Sequence, residues 1–97
     1  MGAGPFSLSA RVNTEDPRAI APVLDRLFGA GAVVPGETAN EFRVTATLSG
    51  ESARDLNRFV LTELRRVEKR TRLRAEWTRD GVTERFFDYV PKGTRRA

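Results

Sequence analysis

Apolar and polar residues alternate near the start of the chain: Phe6, Leu8, Ala10 and Val12 are interleaved with Ser7, Ser9, Arg11 and Asn13. A period of two with one apolar face predicts a half-buried strand. The pattern then changes. Ile20, Val23, Leu24, Leu27 and Phe28 recur at helical spacing, preceded by Asp16 as an N-cap and Pro17 at the first helical position, and followed by Gly29 as a stop. Pro22 lies inside this helix and removes one backbone hydrogen bond, which predicts a distorted first turn or a late start.

Alternation returns in the middle of the chain. A short strand is expected near 32–34, a turn through Pro35–Asn40, and a longer strand over 41–48, where Phe42, Val44, Ala46 and Leu48 alternate with Arg43, Thr45 and Thr47. The next segment, SGESARDLNRFVLTELRRVEKRT, carries the strongest helical signal. Ser52 and Asp55 match a capping box, with Ser49 as a competing cap. Leu56, Val60, Leu64 and Val67 form its apolar stripe, with Phe59 on the flank. Residues 72–90, RLRAEWTRDGVTERFFDYV, then read as a hairpin turned at Asp80-Gly81, a dipeptide that favours tight two-residue turns. The closing PKGTRRA, residues 91–97, reads as a short, frayed basic tail.

The order is strand, helix, strand, strand, helix, strand, strand. It resembles the split β-α-β pattern (βαββαβ) of ferredoxin-like α+β domains with an extra C-terminal strand: one domain over 1–97, an antiparallel sheet and two helices on one face. Right-handed crossovers place the first strand centrally, between the third and fourth, and the fifth beyond the fourth. The same order resembles RNA-binding RRM domains, ACT ligand-binding modules and small dimeric subunits of tRNA-modifying complexes. No diagnostic motif accompanies the topology, and fold alone does not choose a function.

Composition narrows the chemistry. The 97 residues contain neither Cys nor His. This excludes disulfides and thiolate chemistry, removes the commonest general base, and argues against a transition-metal site or another cofactor. The carboxylates are scattered; the adjacent Glu15 and Asp16 are explained by helix capping, so the expectation is a non-enzymatic protein. GAGAVVPG has glycines but neither phosphate-loop pattern. No apolar run approaches the roughly 20 residues that span a bilayer. The N-terminus has no signal-peptide pattern, and Phe6 stands where an acylation signal after Gly2 needs Ser or Thr. A cytoplasmic location is expected.

Net charge is +4 and unevenly placed: residues 1–48 hold four basic and five acidic side chains, residues 49–97 thirteen and eight. Arg outnumbers Lys fifteen to two. Arginine grips phosphate bidentately and stacks on bases, although a solvated surface also carries such charge. The second helix has a basic stripe of Arg54, Arg58, Thr62, Arg65 and Lys69. Its C-terminal end, RRVEKRTRLR, is the densest positive run, with Arg65, Arg66, Lys69 and Arg70 leading into the hairpin.

If the alternating apolar residues face the helices, the opposite face carries Ser7, Ser9, Arg11, Arg43, Thr45 and Thr47. A two-residue turn at Asp80-Gly81 pairs Arg79 with Val82, Glu76 with Arg85, Arg74 with Phe87 and Arg72 with Tyr89. Leu73, Ala75, Trp77 and Phe86 then point to the core, while Arg72, Arg74, Glu76, Arg85, Phe87 and Tyr89 share the open face. Two functions fit. One is a small adaptor or assembly module that self-associates, or binds another protein, through its sheet. The other is a non-sequence-specific RNA- or DNA-binding domain using Arg72, Arg74, Arg85, Phe87 and Tyr89, with Arg65, Arg66, Lys69 and Arg70 on the backbone. The stacking aromatics of an RRM would lie on the two central strands, where this chain has Ser, Thr and Arg.

Overall fold

A computed structural model describes residues 3–96; Met1 and Gly2, considered for acylation, and Ala97 of the basic tail lie outside the described residues. The first alternating run forms β1 (Gly4–Asn13), and its side chains are buried and exposed in turn. Helix α1 (Pro17–Phe28) begins where its cap predicts: the Asp16 side chain accepts from the Ala19 N–H, and Gly29 closes the helix at φ 91°. Pro22 neither delays nor breaks it, because it sits on the exposed side, where water can solvate the carbonyl it leaves unpaired.

A single 3-10 turn (Ala30–Ala32) leads into the short β2 (Val33–Pro35), followed by β3 (Glu41–Gly50). Helix α2 (Ala53–Val67) is capped by Ser52, whose side chain accepts from the Asp55 N–H, so Ser52 and not Ser49 starts it. Strands β4 (Arg72–Arg79), β5 (Val82–Phe87) and β6 (Val90–Arg96) complete the chain. The architecture is α+β, with six antiparallel strands in the order β2-β3-β1-β4-β5-β6 and two helices packed on one face. The first strand is internal, between β3 and β4. No helix of the described residues is long and apolar enough to cross a membrane.

The core lies between sheet and helices. Phe6, Leu8, Ala10 and Val12 of β1 meet Ile20, Val23 and Leu24 of α1 and Leu56, Val60, Leu61 and Leu64 of α2, with Leu73, Ala75, Trp77 and Phe86 below them. Each fully buried aliphatic side chain contributes about 1.5–3 kcal/mol. The expected apolar stripe of α2 is corrected at Val67, and Leu61 joins it. Leu61 is wholly buried, whereas Val67 is 48 % exposed, because the last turn of the helix runs past the packed core. Phe59 also faces outward.

The C-terminal segment is a further correction. Residues 90–96 are not a frayed tail but strand β6 on the sheet edge, paired with β5 from Phe87↔Val90 to Val82↔Arg96. All its residues are exposed, so it carries no alternation that would announce it. The turn joining β5 and β6 is Asp88-Tyr89, with Asp88 at φ 54°, a left-handed conformation that Asp tolerates better than most residues. Asp88 is anchored on three sides. Its carboxylate accepts from the Leu73 N–H at 2.9 Å, its N–H donates to the Leu73 carbonyl at 2.7 Å, and its carbonyl accepts from Asn57 Nδ2 at 2.6 Å. This second turn ends the β4–β5 ladder at Arg74↔Phe87, and the expected Arg72–Tyr89 pair does not form.

Candidate functional site

The strand registers bring the face away from the helices together in rows. Arg43 on β3 stands opposite Arg11 on β1, Arg11 opposite Arg74 on β4, and Arg74 opposite Phe87 on β5. Neighbouring strands are about 4.8 Å apart, so three guanidinium side chains and a phenyl ring project from one line across four strands. The adjacent row runs Thr45, Ser9, Glu76 and Arg85. Like charges directly opposite one another destabilise a sheet. Arg43 is relieved by Glu37 at 3.6 Å. Among the described residues no carboxylate lies within 4.0 Å of Arg11, Arg74, Arg85 or Lys92.

These side chains surround an open trough of about 550 Å³ lined by Ser9, Arg11, Arg74, Glu76, Arg85, Phe87 and Lys92 over a floor of Ala10, Ala75 and Phe86. A second depression of about 410 Å³, lined by Asn13, Arg72, Leu73, Arg74, Phe87 and Asp88, adjoins it. Arg74 and Phe87 belong to both and form the ridge between them. The Arg74 guanidinium stacks on the Phe87 ring at 4.4 Å from its centroid, with Lys92 Nζ at 5.7 Å. Phe87 is 39 % exposed, so the pair is an accessible cation–π unit. Lys92 comes from β6, where an extra residue interrupts the register between Arg85↔Gly93 and Phe86↔Pro91. Its place at the site was hidden by reading this segment as a tail.

The nine candidate residues therefore divide. Arg72, Arg74, Arg85 and Phe87 lie on the open face, as expected. Tyr89 does not: its hydroxyl is 3.3 Å from Thr62 Oγ1 on α2, and Arg65 packs over its ring at 5.4 Å, which puts it on the helix side. Arg65 is engaged in the fold, donating from Nε to the Thr71 carbonyl at 2.9 Å and pairing with Asp88 at 3.4 Å. Arg66 pairs with Glu63 at 3.5 Å and Arg70 with Glu15 at 3.3 Å, while Lys69 is exposed in the loop before β4. Arg72 reaches Asp88 at 3.6 Å. Within this basic run Arg65 ties α2 to the segments flanking β4 and β5, Arg66 pairs within α2, and Arg70 reaches the loop before α1.

The resolved electrostatic shift lies away from the trough. Glu68 is held below the ordinary carboxylate value of 4.5, chiefly by the Arg70 N–H it accepts at 2.8 Å, then by the Glu15 N–H at 3.2 Å and the hydroxyls of Thr71 and Thr14, while desolvation opposes the shift. This knot joins the end of β1 to the start of β4. Among the described residues no group of three or more Asp or Glu is placed to hold a metal ion. Among the described residues the trough presents positive charge, one hydroxyl, one carboxylate and an exposed aromatic ring, a set suited to a flexible polyanion with planar groups. Comparison with family models, curated proteins and solved structures returns no match to this chain.

Proposed function

We propose that this chain is a non-enzymatic cytoplasmic module that binds nucleic acid on its open sheet face. The observation that carries the reading is the Arg43–Arg11–Arg74 row ending at Phe87. Three opposed arginines are a cost in the free protein, and a line of phosphates offsets that cost. Phe87 and Arg74 supply a stacking surface beside the charges, as single-strand binding requires. A ferredoxin-like description of the fold belongs to the same proposal, with β1 between β3 and β4 and with β5 and β6 extending the sheet.

Self-association through the sheet has weaker support. Face-to-face pairing would oppose Arg11, Arg74 and Arg85 to their own copies. Both edges carry features that discourage pairing: β2 has three residues and ends at Pro35, and β6 contains Pro91, the extra Lys92 and the charged Arg95 and Arg96.

The test is a titration of a labelled single-stranded oligonucleotide over a series of salt concentrations, with the protein's mass followed by light scattering. Four phosphate contacts from Arg11, Arg74, Arg85 and Lys92 give a log–log slope of about −3. Arg11→Ala/Arg74→Ala halves that slope, and Arg66→Ala leaves it unchanged. Binding that ignores salt, or that survives the double substitution intact, overturns the reading. A stable dimer with no binding at low salt returns the face to protein association.

A further inference from the structure

We propose that Glu76 makes the trough a reader of unpaired bases, selecting those with an exocyclic amino group, guanine foremost, over uracil and thymine. The inference rests on the nucleic-acid reading above and deepens it. Among the described residues Glu76 is the single carboxylate lining the larger depression, beside Arg11, Arg74, Arg85 and Lys92. For a surface that gripped phosphates alone, a negative charge at this position is a liability. Arg85 is its cross-strand partner, yet among the described residues no cation lies within 4.0 Å of its oxygens. The carboxylate therefore stands open to a ligand.

An ionised carboxylate only accepts hydrogen bonds, so it selects for donors. Guanine offers N1–H and an N2 amino group side by side, matching two carboxylate oxygens. Cytosine and adenine each offer one amino group. Uracil and thymine flank their lone N–H with two carbonyl oxygens, which a carboxylate repels. In a duplex these edges are occupied by pairing, so the selection operates on a single strand.

The layout brings stacking and reading within one base. Glu76 follows Arg74 by two residues on β4, and Phe87 is diagonal to it on β5, roughly 7 Å away. A base lying on the Arg74–Phe87 unit can direct its edge at Glu76, beside the Ser9 hydroxyl.

The test uses oligothymidine strands that differ only at one central position, dG, dC or dT, titrated by anisotropy against the natural protein and Glu76→Gln, with the duplex form as a control. The dG strand is expected to bind about tenfold tighter than all-thymidine, the worth of one good pair of base contacts, with dC between them. Glu76→Gln, with circular dichroism checking the fold, tightens all-thymidine and brings the ratio near one, because an amide can also donate. The duplexes show no preference. A ratio that is near one in the natural protein, or unchanged in Glu76→Gln, overturns the base selection while salt-sensitive binding of oligothymidine keeps the parent reading. If no strand binds at low salt, the nucleic-acid reading fails and the selectivity fails with it.

Discussion

Arg11 and Arg74 stand directly opposite one another on adjacent strands, and among the described residues neither has a carboxylate within 4.0 Å. The face therefore carries an unrelieved repulsion. Arg11→Thr is expected to raise stability at low salt by about 0.2–1 kcal/mol, a gain that shrinks as salt screens the pair. The same change weakens oligonucleotide binding. Urea unfolding at two ionic strengths measures the first effect. A loss of stability at low salt would mean that packing of the arginine stem outweighs the repulsion.

Asn57 is a buried amide on an otherwise apolar helix face. Its Oδ1 accepts from the Trp77 indole N–H at 3.2 Å, and its Nδ2 donates to the Asp88 carbonyl at 2.6 Å. Asn57→Leu leaves both partners unsatisfied and is expected to cost about 2–6 kcal/mol, at roughly 1–3 for each stranded group. The shift in the urea midpoint checks it. A shift no larger than that of an exposed-site change would mean that these bonds contribute little.

The β5–β6 turn depends on Asp88 holding φ 54°. Asp88→Val sets a β-branched residue in that conformation and removes the bond to Leu73, for a combined loss of about 2–4 kcal/mol. Asp88→Asn tolerates the backbone and keeps an acceptor, so its loss is smaller. Because the turn leads into the strand that brings Lys92 to the trough, Asp88→Val also weakens binding. Thermal unfolding and oligonucleotide titration on both variants separate the backbone effect from the charge effect.

Glu68 supplies a pH dependence. Its folded value lies below 4.5, with the Arg70 N–H as first cause, so its ionised form is favoured by folding. The contribution is fully present above the unfolded value and is lost as pH falls through the lower, folded value. The stability difference between the natural protein and Glu68→Gln is therefore expected at neutral pH and to vanish under strongly acidic conditions. Urea midpoints at neutral and acid pH test this. A difference that grows toward acid would reverse the sign and exclude the assignment.

Leu61 and Val67 distinguish a position inside the packed core from one beyond its end on α2. Leu61→Ala is expected to cost about 2–5 kcal/mol, and Val67→Thr less than about 0.5. Chemical denaturation of the two variants reads the contrast directly.

The same pair shows where sequence pattern stops. Strict alternation assigned the faces of β1 and β3, and the Asp80-Gly81 turn carried the β4–β5 register correctly as far as Phe87. Helical spacing alone could not say that α2 outruns the core, which decides that Val67 is exposed. FFDYV contains no glycine to announce a second turn, so the reversal at Asp88 and the removal of Tyr89 from the face were not legible. Strand β6, with Pro91, Gly93 and no buried position, has none of the features that mark a strand. The trough was thus visible as Arg74, Arg85 and Phe87, while Lys92 required the fold.

Trp77 is the one tryptophan of the chain, and it is sealed under α2 with its indole nitrogen bonded to Asn57. Its neighbours on β4, Glu76 and Thr78, project to the opposite side of the sheet. Its emission therefore comes from a water-free site, one sheet thickness from the trough. A ligand that stacks on Phe87 leaves that signal alone, whereas quenching or a red shift on addition of ligand would report a rearranged interior. Occupancy and integrity can thus be followed in one cuvette, each by its own wavelength.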